Sequence, residues 1–498
     1  MKQRRGLFIY LLMLGLLLMG CQQEESTQID IFYTADVAGF YYSRPEPQLD
    51  NQEVGGYAVL KAFLDKQEKP FLFFDGGNWF GVSPESAMTQ GKFMIPFLQQ
   101  MPYAAGAVTA ADFSFGWPVL RGIIREQDFP FVISNVTLEN QIPWPMHDYQ
   151  IFTRENIKIG VLSLVNPQAM QTYKSRLAGF GVQDPIDRAR EMVTLLKEKG
   201  VDFVIILSSL GEWDSYWRDE TLASEVEHID LILSAGKNLE NEEQERINNT
   251  YIVYPGLGLE RLAHITLSFT KNKQLKELHV ENISLVKSVY QEEEKLALQV
   301  QEMRENTRQK MKARLTQSSE VVAHSLQEES KLGDLMADCL HSWAKLDGVI
   351  LNSDSLRKEL PLGIITEYDL YNTYPYGDNI TFITIRGKDF IRALEASVNE
   401  PDNFPQIAGF SVQYNPQKML GKRIKQITLS NGRIIRPEEK YRFAITDHIL
   451  AGGFGHDLFI NSLEFKNTFV EARQIMRACL VKQKNLKVPA LGRWKKVK

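Results

Sequence analysis

The sequence has little cysteine, with three in 498 residues, so a framework of disulfides is excluded as its main source of stability. Histidine is also scarce, with eight in the chain. There is no internal repeat, no low-complexity block and no Gly-x-x-x-x-Gly-Lys-Ser/Thr loop. The net charge is −5, so no broad positive field is expected to attract nucleic acid or an anionic membrane. The length predicts two large domains.

Long apolar runs are absent except at the N-terminus, in "MKQRRGLFIYLLMLGLLLMGC". Three basic residues precede residues 7–20, which are short for a membrane span. The run ends in Leu-Met-Gly-Cys, which resembles a bacterial lipobox with Cys21 as the lipidated residue. We therefore expect a lipoprotein signal peptide over residues 1–21 and a polar tether over 22–28. An uncleaved anchor helix is the alternative, and both interpretations predict a membrane-attached, extracytoplasmic protein of the cell envelope.

Two thiols remain once Cys21 is set aside, namely Cys339 and Cys479. Cys339 recurs at helical spacing with apolar side chains such as Leu335, Met336 and Trp343. We interpret it as a small buried hydrophobic residue. A Cys339–Cys479 bridge is the disfavoured alternative.

Residues 29 to 283 alternate short apolar runs with amphipathic segments. Buried strands are predicted at "IDIFYTAD", "KPFLFFDGGN", "FPFVISN", "IKIGVLSLVN", "VDFVIILSSLG", "IDLILSAGKN" and "TYIVYPG". Helices are predicted between several of them, for example over 57–67 and 187–199. This alternation predicts an α/β domain with helices covering the sheets. Ligand sites of such domains lie beyond the strand C-termini, where "TAD", "DGGN", "SSLG" and "SAGKN" occur.

A charged, helix-favouring stretch without Gly or Pro covers residues 290–315 and predicts a partly solvated connector helix. A second domain follows, with a helix predicted over 331–346 and strands at "GVILNS", "ITFITIRG" and "YRFAITD". The Asn431-Gly432 pair inside "IKQITLSNGRII" predicts a hairpin turn. The basic tail "RWKKVK" is interpreted as a solvated end.

The order of these segments resembles that of the bacterial 5'-nucleotidase family. The N-terminal half is similar to a calcineurin-like metallophosphatase domain through "VGGYAVLKAFL", "DGGNWFGVSP" and "DFSFGWPVL". The C-terminal half is similar to the family's nucleotide-binding domain through "LGDLMADCL", "LNSDSLRKELPLGIITEYDLYNTYPYGDN" and "AGGFGHDLF". The resemblance implies an α/β fold (α+β overall) with an N-terminal four-layer α/β/β/α sandwich and a C-terminal α/β domain. The expected segments are 1–21, 22–28, 29–288 (metallophosphatase-like), 289–315 (connector), 316–485 (C-terminal domain) and 486–498 (basic tail).

The resemblance also implies a pair of divalent metals that activate a water and bind phosphate, and this chain departs from the required ligands. Asp36 matches the Asp of an Asp-x-His motif and is the one retained ligand. The other implied positions carry side chains that the motifs do not have, namely Ala38, Asn78, Ala110, Ala111, Ser209, Gly236 and Asn238. Histidines elsewhere in this half stand alone in the sequence. We therefore expect no cofactor and no dinuclear catalysis, and a zinc or manganese pair only if an altered site persists.

In the C-terminal half the resemblance implies a nucleotide cleft. Arg357 matches a phosphate-binding Arg, and Lys331 aligns with a position that can carry one. Phe404 matches one base-stacking ring, His448 lies at the second, and Phe454 replaces the Asp that binds the ribose. A buried hydroxyl without a partner costs about 1–3 kcal/mol, so an ordinary nucleotide is expected to bind poorly. A flat aromatic ligand and a cleft closed by its own rings remain as alternatives.

Three functions stay open. The favoured one is a lipid-anchored pseudoenzyme that binds a nucleotide-like or aromatic ligand, or an envelope protein, through the old cleft. The second is a structural lipoprotein that assembles with envelope proteins. The third is a metal-dependent 5'-nucleotidase or phosphohydrolase acting on extracellular nucleotides, with an altered site formed by Asp36, Asn78, Asp112 and Asn238. The membrane is an expected partner through the lipid, and nucleic acid is not.

Overall fold

The computed structural model describes residues 27–46, 49–81, 83–173, 176–211, 216–235, 244–256, 258–398, 403–450, 459 and 461–497. Four residues that the sequence singled out lie outside this part of the chain, namely Cys21, Gly236, Asn238 and Phe454. Among the described residues, no helix is both long enough and apolar enough to span a bilayer.

The N-terminal half is built from short strands and helices in alternation. Its strands are β1 (Thr27–Thr34), β2 (Arg44–Glu46), β3 (Gln52–Val54), β4 (Phe71–Asp75), β5 (Ala105–Ala107), β6 (Phe131–Val132), β7 (Val136–Leu138), β8 (Gln150–Arg154), β9 (Ile157–Val165), β10 (Phe180–Val182), β11 (Phe203–Ser209), β12 (Leu231–Ser234), β13 (Gln244–Ile247), β14 (Thr250–Val253), β15 (Arg261–Phe269) and β16 (Leu275–Ser284). Its helices are α1 (Tyr57–Leu64), α2 (Pro84–Thr89), α3 (Ile95–Leu98), α4 (Trp117–Ile124), α5 (Pro167–Thr172), α6 (Pro185–Glu198) and α7 (Asp219–Glu225).

Two sheets form the centre of this half. One has the strand order β16-β15-β1-β4-β5-β6 and the other β13-β14-β12-β11-β9-β8. Apolar side chains from both sheets, such as Ile31, Val161 and Ile205, share one buried core between them. The helices α1, α3 and α4 cover the outer face of the first sheet, and α6 and α7 cover the second. The predicted four-layer α/β/β/α sandwich is confirmed.

A connector helix follows this sandwich. A short helix, α8 (Lys287–Tyr290), precedes α9 (Glu294–Lys310). Leu296 and Val300 of α9 are buried in the apolar core beneath the first sheet, whereas Leu298 is exposed. The helix therefore packs along the N-terminal half with one narrow apolar stripe, as its sparse hydrophobic positions predict.

The C-terminal half is a second α/β unit. Its strands are β17 (Arg314–Ser318), β18 (Gly348–Asn352), β19 (Gly363–Thr366), β20 (Asn379–Arg386), β21 (Pro405–Ala408), β22 (Phe410–Tyr414), β23 (Ile424–Leu429), β24 (Lys440–Thr446), β25 (Glu464–Glu471) and β26 (Trp494–Lys496). Its helices are α10 (Lys331–Ala344), α11 (Glu367–Thr373), α12 (Gly387–Ser397), α13 (Asp447–Leu450) and α14 (Ala472–Val481). The main sheet has the order β21-β18-β24-β20-β25.

This main sheet is covered on both faces. The helices α10 and α14 bury one face, while α12 and a small sheet of order β23-β22-β26 bury the other. The predicted turn is present, since Gly432 has a φ of 84° and its N–H donates to the Leu429 carbonyl. The return strand of that hairpin is reduced to a single bridge between Thr428 and Ile434.

One expectation about the cysteines is wrong. Cys339 of α10 and Cys479 of α14 are joined in a disulfide across 140 residues of sequence. The two helices pack side by side over the same face of the sheet, so both thiols face one another in the apolar layer. Helical spacing correctly predicted that Cys339 is buried, but it carries no information about which distant helix lies opposite.

The two halves also contact each other directly. The Arg176 guanidinium donates to the Ser114 carbonyl of the N-terminal half and, over 2.9 Å, to the Gly377 carbonyl of the C-terminal half. Helix α11 packs against α2. Arg304 of the connector lies over the Tyr42 ring, 3.9 Å from its centroid.

Candidate functional site

The loops that follow β1 and β4 lie side by side at the carboxyl edge of the first sheet. The backbone N–H of Asp36 donates to the Gly77 carbonyl over 3.1 Å, and that of Ala38 donates to the Asn78 carbonyl over 2.6 Å. All three non-glycine residues have positive φ, namely 51° at Asp36, 47° at Ala38 and 58° at Asn78. Such a backbone is uncommon outside glycine and is held here by the pairing of the two loops. The loops thus bring Asp36 and Asn78 together, as the sequence predicts.

The Asn78 side chain is bonded to Asp36. Its Nδ2 donates to the Asp36 Oδ1 over 3.2 Å. The resemblance places a metal-bridging carboxylate at position 78, where the amide now turns a hydrogen-bond donor toward the retained carboxylate. An amide N–H repels a cation and cannot act as its ligand. The side chains of Asp36 and Asn78 therefore form a hydrogen bond with each other in place of a bond to a metal ion.

Asp112 is the most heavily bonded acid in this region. It is buried, and it accepts hydrogen bonds from the backbone N–H groups of Asn78, Trp79 and Thr109 and from the Thr109 hydroxyl. The four distances lie between 2.7 and 3.1 Å. Burial raises the pKa of Asp112 to about 6, although these hydrogen bonds lower it. Its carboxylate is used to hold two loops together.

The two alanines at 110 and 111 begin the short 3-10 helix Ala110–Phe115. Thr109 and Asp112 form a capping box at the N-terminus of this helix. Ala110 is buried and Ala111 is half-buried. The resemblance implies a metal-binding Asn and a catalytic His at these positions. Two methyl groups offer neither a ligand nor a proton.

Across the cleft, Ser209 ends β11 of the second sheet. Its hydroxyl donates to the Leu164 carbonyl over 3.3 Å, so it serves the sheet. The neighbouring Ser208 and Ser234 hydroxyls both donate to the carboxylate of Asp219, which is buried. The remaining predicted positions, Gly236 and Asn238, lie outside the described residues.

The side chains present do not fit a pair of divalent metals. Such a site needs several Asp, His or Asn donors that converge on each ion. In the part of the chain that the structure describes, no group of three or more His, Cys, Asp and Glu side chains is arranged to hold a metal ion. The acids that do lie near the cleft, Asp36, Asp112 and Asp219, are hydrogen-bonded to the protein. We therefore derive no catalytic step through metal ions.

In the C-terminal half the structure separates the predicted ligand-binding residues. The Lys331 ammonium pairs with Glu320 over 2.6 Å. The Arg357 Nε donates to the Tyr376 hydroxyl over 2.7 Å; Arg357 lies in the loop after β18 and Tyr376 in the loop after α11. Lys331 and Arg357 thus have separate partners within the protein.

Phe404 does not present a free ring. It is 4% exposed and packs edge-on against Trp494, with ring centroids 4.9 Å apart. Its backbone N–H and the Ser353 hydroxyl both donate to the Leu326 carbonyl, so its backbone stays near the loop that carries Arg357. Of the two alternatives for this ring, the structure has the one in which it is packed inside the domain.

Asp354 stands where the resemblance implies a glycine, and it changes the charge of the cleft. Burial raises its pKa, and the positive charges of His448 and Arg357, together with the Asn352 amide, partly offset this. His448 and Arg357 are therefore brought together around a carboxylate of the chain itself. Phe454 lies outside the described residues.

Some residues of these sites were missed by sequence reasoning. Asp219 and Tyr376 have no motif that marks them, because each acts through a partner that is distant in the chain. Asp112 had a usable signal, since a Thr followed three residues later by an acid is typical of a capping box. That pattern predicts a role in the backbone network rather than in metal binding.

Comparisons with known proteins agree with this architecture. The family described as "5'-nucleotidase, C-terminal domain" matches residues 311–460. A 5'-nucleotidase of Vibrio vulnificus is 21% identical over 480 residues, which cover 86% of this chain and 85% of that protein. The trifunctional nucleotide phosphoesterase protein YfkN of Bacillus subtilis is 24% identical, over 77% of this chain and 29% of that longer protein.

Solved structures show the same fold. The crystal structure of a 5'-nucleotidase precursor from Thermus thermophilus superposes with a TM-score of 0.76 at 18% identity, covering 95% of this chain and 99% of that one. A 5'-nucleotidase of Candida albicans gives 0.60 at 12% identity, covering 91% and 98%. These structures have the metallophosphatase-like half and the C-terminal half in the same order. The chain is therefore similar to 5'-nucleotidases over most of its length, and its residues 311–460 match the C-terminal domain of that family.

Proposed function

We propose that this protein is a non-catalytic, extracytoplasmic member of the 5'-nucleotidase family that acts by binding. One observation supports the proposal, namely that Asp36, Asn78 and Asp112 at the carboxyl edge of the first sheet are hydrogen-bonded to the protein itself. Asn78 donates to Asp36, and Asp112 accepts four hydrogen bonds from the loops around it. The polar groups that a metal pair would need are engaged with the fold.

The binding surface is proposed in the C-terminal half. The cluster of Arg357, Tyr376, His448 and Asp354 combines aromatic rings with charges that largely neutralise one another. A carboxylate beside Arg357 opposes a phosphate, so a flat ligand without phosphate, such as a nucleoside, fits this cluster better than a nucleotide. An envelope protein that covers the same cluster is the other occupant to test.

Membrane attachment through a lipid on Cys21 is part of the proposal. It rests on the basic start, the apolar run and the Leu-Met-Gly-Cys sequence at the N-terminus. Labelling of the full chain with a radioactive fatty acid, compared with Cys21→Ser, tests this step. Incorporation in both variants contradicts it.

The proposed absence of catalysis is tested by measuring metal content and phosphate release. The chain from Gln22 to Lys498 is incubated with excess Mn²⁺, Zn²⁺ or Co²⁺ and with AMP, a UDP-sugar and a cyclic nucleotide, beside an active family member. We expect no stoichiometric metal and no turnover. Turnover that disappears in Asp36→Ala contradicts the proposal and supports the second candidate, a phosphohydrolase with an altered metal site at Asp36 and Asn78.

The binding proposal is tested by melting temperature. A nucleoside that binds the folded state raises the melting temperature, and the stabilisation grows with the logarithm of one plus its concentration over its Kd. We expect adenosine to raise it more than AMP does. Arg357→Ala and Lys331→Ala are matched variants, and only the first should change the response, because Lys331 pairs with Glu320 away from the cluster. An equal response in both contradicts this location.

A further inference from the structure

Two long stretches of the C-terminal half contain no acidic residue, although the whole chain carries a net charge of −5. The first covers residues 403–437, and its cations are Lys418, Lys422, Arg423, Lys425, Arg433 and Arg436. The second covers residues 472–498 and ends in "VKQKNLKVPALGRWKKVK". These two stretches are therefore positively charged, although the chain as a whole is negative.

The small sheet brings the two stretches together. β22 pairs with β23 in antiparallel fashion and with β26 in parallel. Because β22 and β26 run in the same direction, the loop after Tyr414 and the C-terminal end of β26 lie at the same end of the sheet. Lys496 is in register with Tyr414, and the Val497 N–H donates to the Tyr414 carbonyl. We call this end, formed by residues 415–425 with Lys495 and Lys496, the basic tip.

The basic tip carries two exposed apolar side chains on a turn. Met419 is 74% exposed and Leu420 is 63% exposed. The Lys422 N–H donates to the Met419 carbonyl over 3.0 Å, and Gly421 has a φ of 89°, as a type II turn requires at its third position. Lys418 and Lys422 flank the two apolar side chains on either side.

The loop is anchored at its base. The Asn415 N–H donates to the Arg423 carbonyl over 2.7 Å. The buried Glu395 of α12 accepts from the backbone N–H groups of Arg423 and Ile424. The exposed position of Met419 and Leu420 is thus fixed by the fold of the loop.

The positive charges of the lysines of the basic tip are available to a partner outside the chain. Lys418, Lys422, Lys425, Lys495 and Lys496 are exposed, and none of them forms an ion pair with any residue that the structure describes. Arg493 differs, because it pairs with Asp334 and Asp338 inside the domain. Two acids lie near the tip, and both accept hydrogen bonds from backbone N–H groups: Glu395 from Arg423 and Ile424, and Glu329 from Gly492 and Arg493 before β26 begins.

We propose that the basic tip docks on the anionic phospholipid surface of a membrane, with Met419 and Leu420 inserted between the headgroups. Lipid phosphates supply the negative charge that the five lysines lack. The headgroup–acyl boundary also accepts apolar side chains that are costly to expose to water. A soluble polyanion satisfies the charges but leaves Met419 and Leu420 in water, so the bilayer fits both features. The proposal does not depend on lipidation of Cys21.

The test uses the chain from Gln22 to Lys498, which retains every strand and helix that the structure describes. Co-sedimentation is measured with vesicles of phosphatidylcholine alone and of phosphatidylcholine mixed with phosphatidylglycerol. We expect affinity to be about tenfold or more higher for the anionic vesicles and to fall with added salt. Equal affinity for both vesicle types overturns the proposal.

Matched variants locate the surface. Replacing Lys418, Lys422, Lys425 and Lys496 by Gln should remove most of the preference for anionic vesicles. Replacing four exposed lysines elsewhere by Gln is the control and should change it less than about twofold; the control set is Lys69, Lys199, Lys276 and Lys310. A loss of binding in the control set as large as in the tip set overturns the location.

The apolar turn separates a membrane from a soluble polyanion. Met419→Ser with Leu420→Ser should weaken vesicle binding several-fold while leaving retention on a heparin column unchanged. If the serine variant binds vesicles as tightly as the parent, insertion is contradicted and the basic tip is a site for a soluble polyanion. The melting temperature of each variant confirms that it is folded.

Discussion

Asp112 shows how a buried carboxylate can hold neighbouring loops together through its hydrogen bonds. It accepts four hydrogen bonds while buried, and each orphaned buried donor costs about 1–3 kcal/mol. We therefore expect Asp112→Ala to lower the free energy of unfolding by about 3 kcal/mol or more. Urea unfolding followed by tryptophan fluorescence measures this loss.

Asp36→Ala is the matched control, because Asp36 and Asp112 are both buried acids of the same cleft. Asp36 accepts from the Asn78 amide, whereas Asp112 accepts from three backbone N–H groups of the loops, so Asp36→Ala should cost less than Asp112→Ala. Equal losses in the two variants contradict the distinction between them.

Asp334 predicts a dependence of stability on pH. Its side chain is fully buried in α10, and burial together with nearby Glu329 and Asp338 raises its pKa to about 8, although Arg493 at 3.3 Å lowers it. The unfolded chain loses this proton near its ordinary pKa of 3.8, whereas the folded chain keeps it to about 8. The contribution of Asp334 to stability is therefore present at low pH and lost as pH rises through this window.

The variant Asp334→Asn has no proton to lose. Its free energy of unfolding, relative to the parent, should increase by on the order of 4 kcal/mol between pH 5 and pH 8. A flat profile for Asp334→Asn relative to the parent argues against the raised pKa of Asp334.

Loops rather than strands define the cleft, and their close approach is testable at two glycines. Gly81 has a φ of 52°, and a Cβ there would lie 1.7 Å from the Ala38 carbonyl oxygen. Gly421 has a φ of 89° and open space around it. We expect Gly421→Ala to cost about 1 kcal/mol from backbone strain, and Gly81→Ala to cost several times more from the added collision. Comparable melting temperatures for the two variants contradict the interlocked loops.

The strands were well predicted from the sequence because most are buried apolar runs bounded by turn residues. β9 and β11, for example, are fully predicted by "IKIGVLSLVN" and "VDFVIILSSLG". The connector was predicted over 290–315 and is shorter, since α9 ends at Lys310 and β17 begins at Arg314. Pairing between distant helices, as in the Cys339–Cys479 bridge, was not predictable, because spacing reports only which face of one helix is buried.

The candidate site was predicted in part. Asp36 and Asn78 were expected to lie together and do, because β1 and β4 are parallel neighbours whose carboxyl ends meet. The burial of the Phe404 ring could not be predicted, because Trp494, which packs against it, belongs to the distant strand β26. The sequence alone does not predict the contacts of side chains whose partners are far away in the chain.

Arg176 joins the two halves through carbonyls on both sides. We expect Arg176→Ala to leave the stability of each half within about 0.5 kcal/mol but to increase hydrogen exchange around Gly377 and on α11, since docking weakens. Arg188→Ala is the control, because its bonds stay within the N-terminal half. Unchanged exchange in Arg176→Ala contradicts a role in holding the halves together.

The bridge between Cys339 and Cys479 also sets an order of events for the growing chain. The bond cannot form until residue 479 has been synthesised. The helices α10 and α14 carry its two ends, and the strands of the main sheet of the C-terminal half lie between them in the sequence. Helix α14 therefore locks α10 only after the sheet has been made, and a chain truncated before residue 479 leaves Cys339 as a free thiol that a folding catalyst or a quality-control protease can recognise.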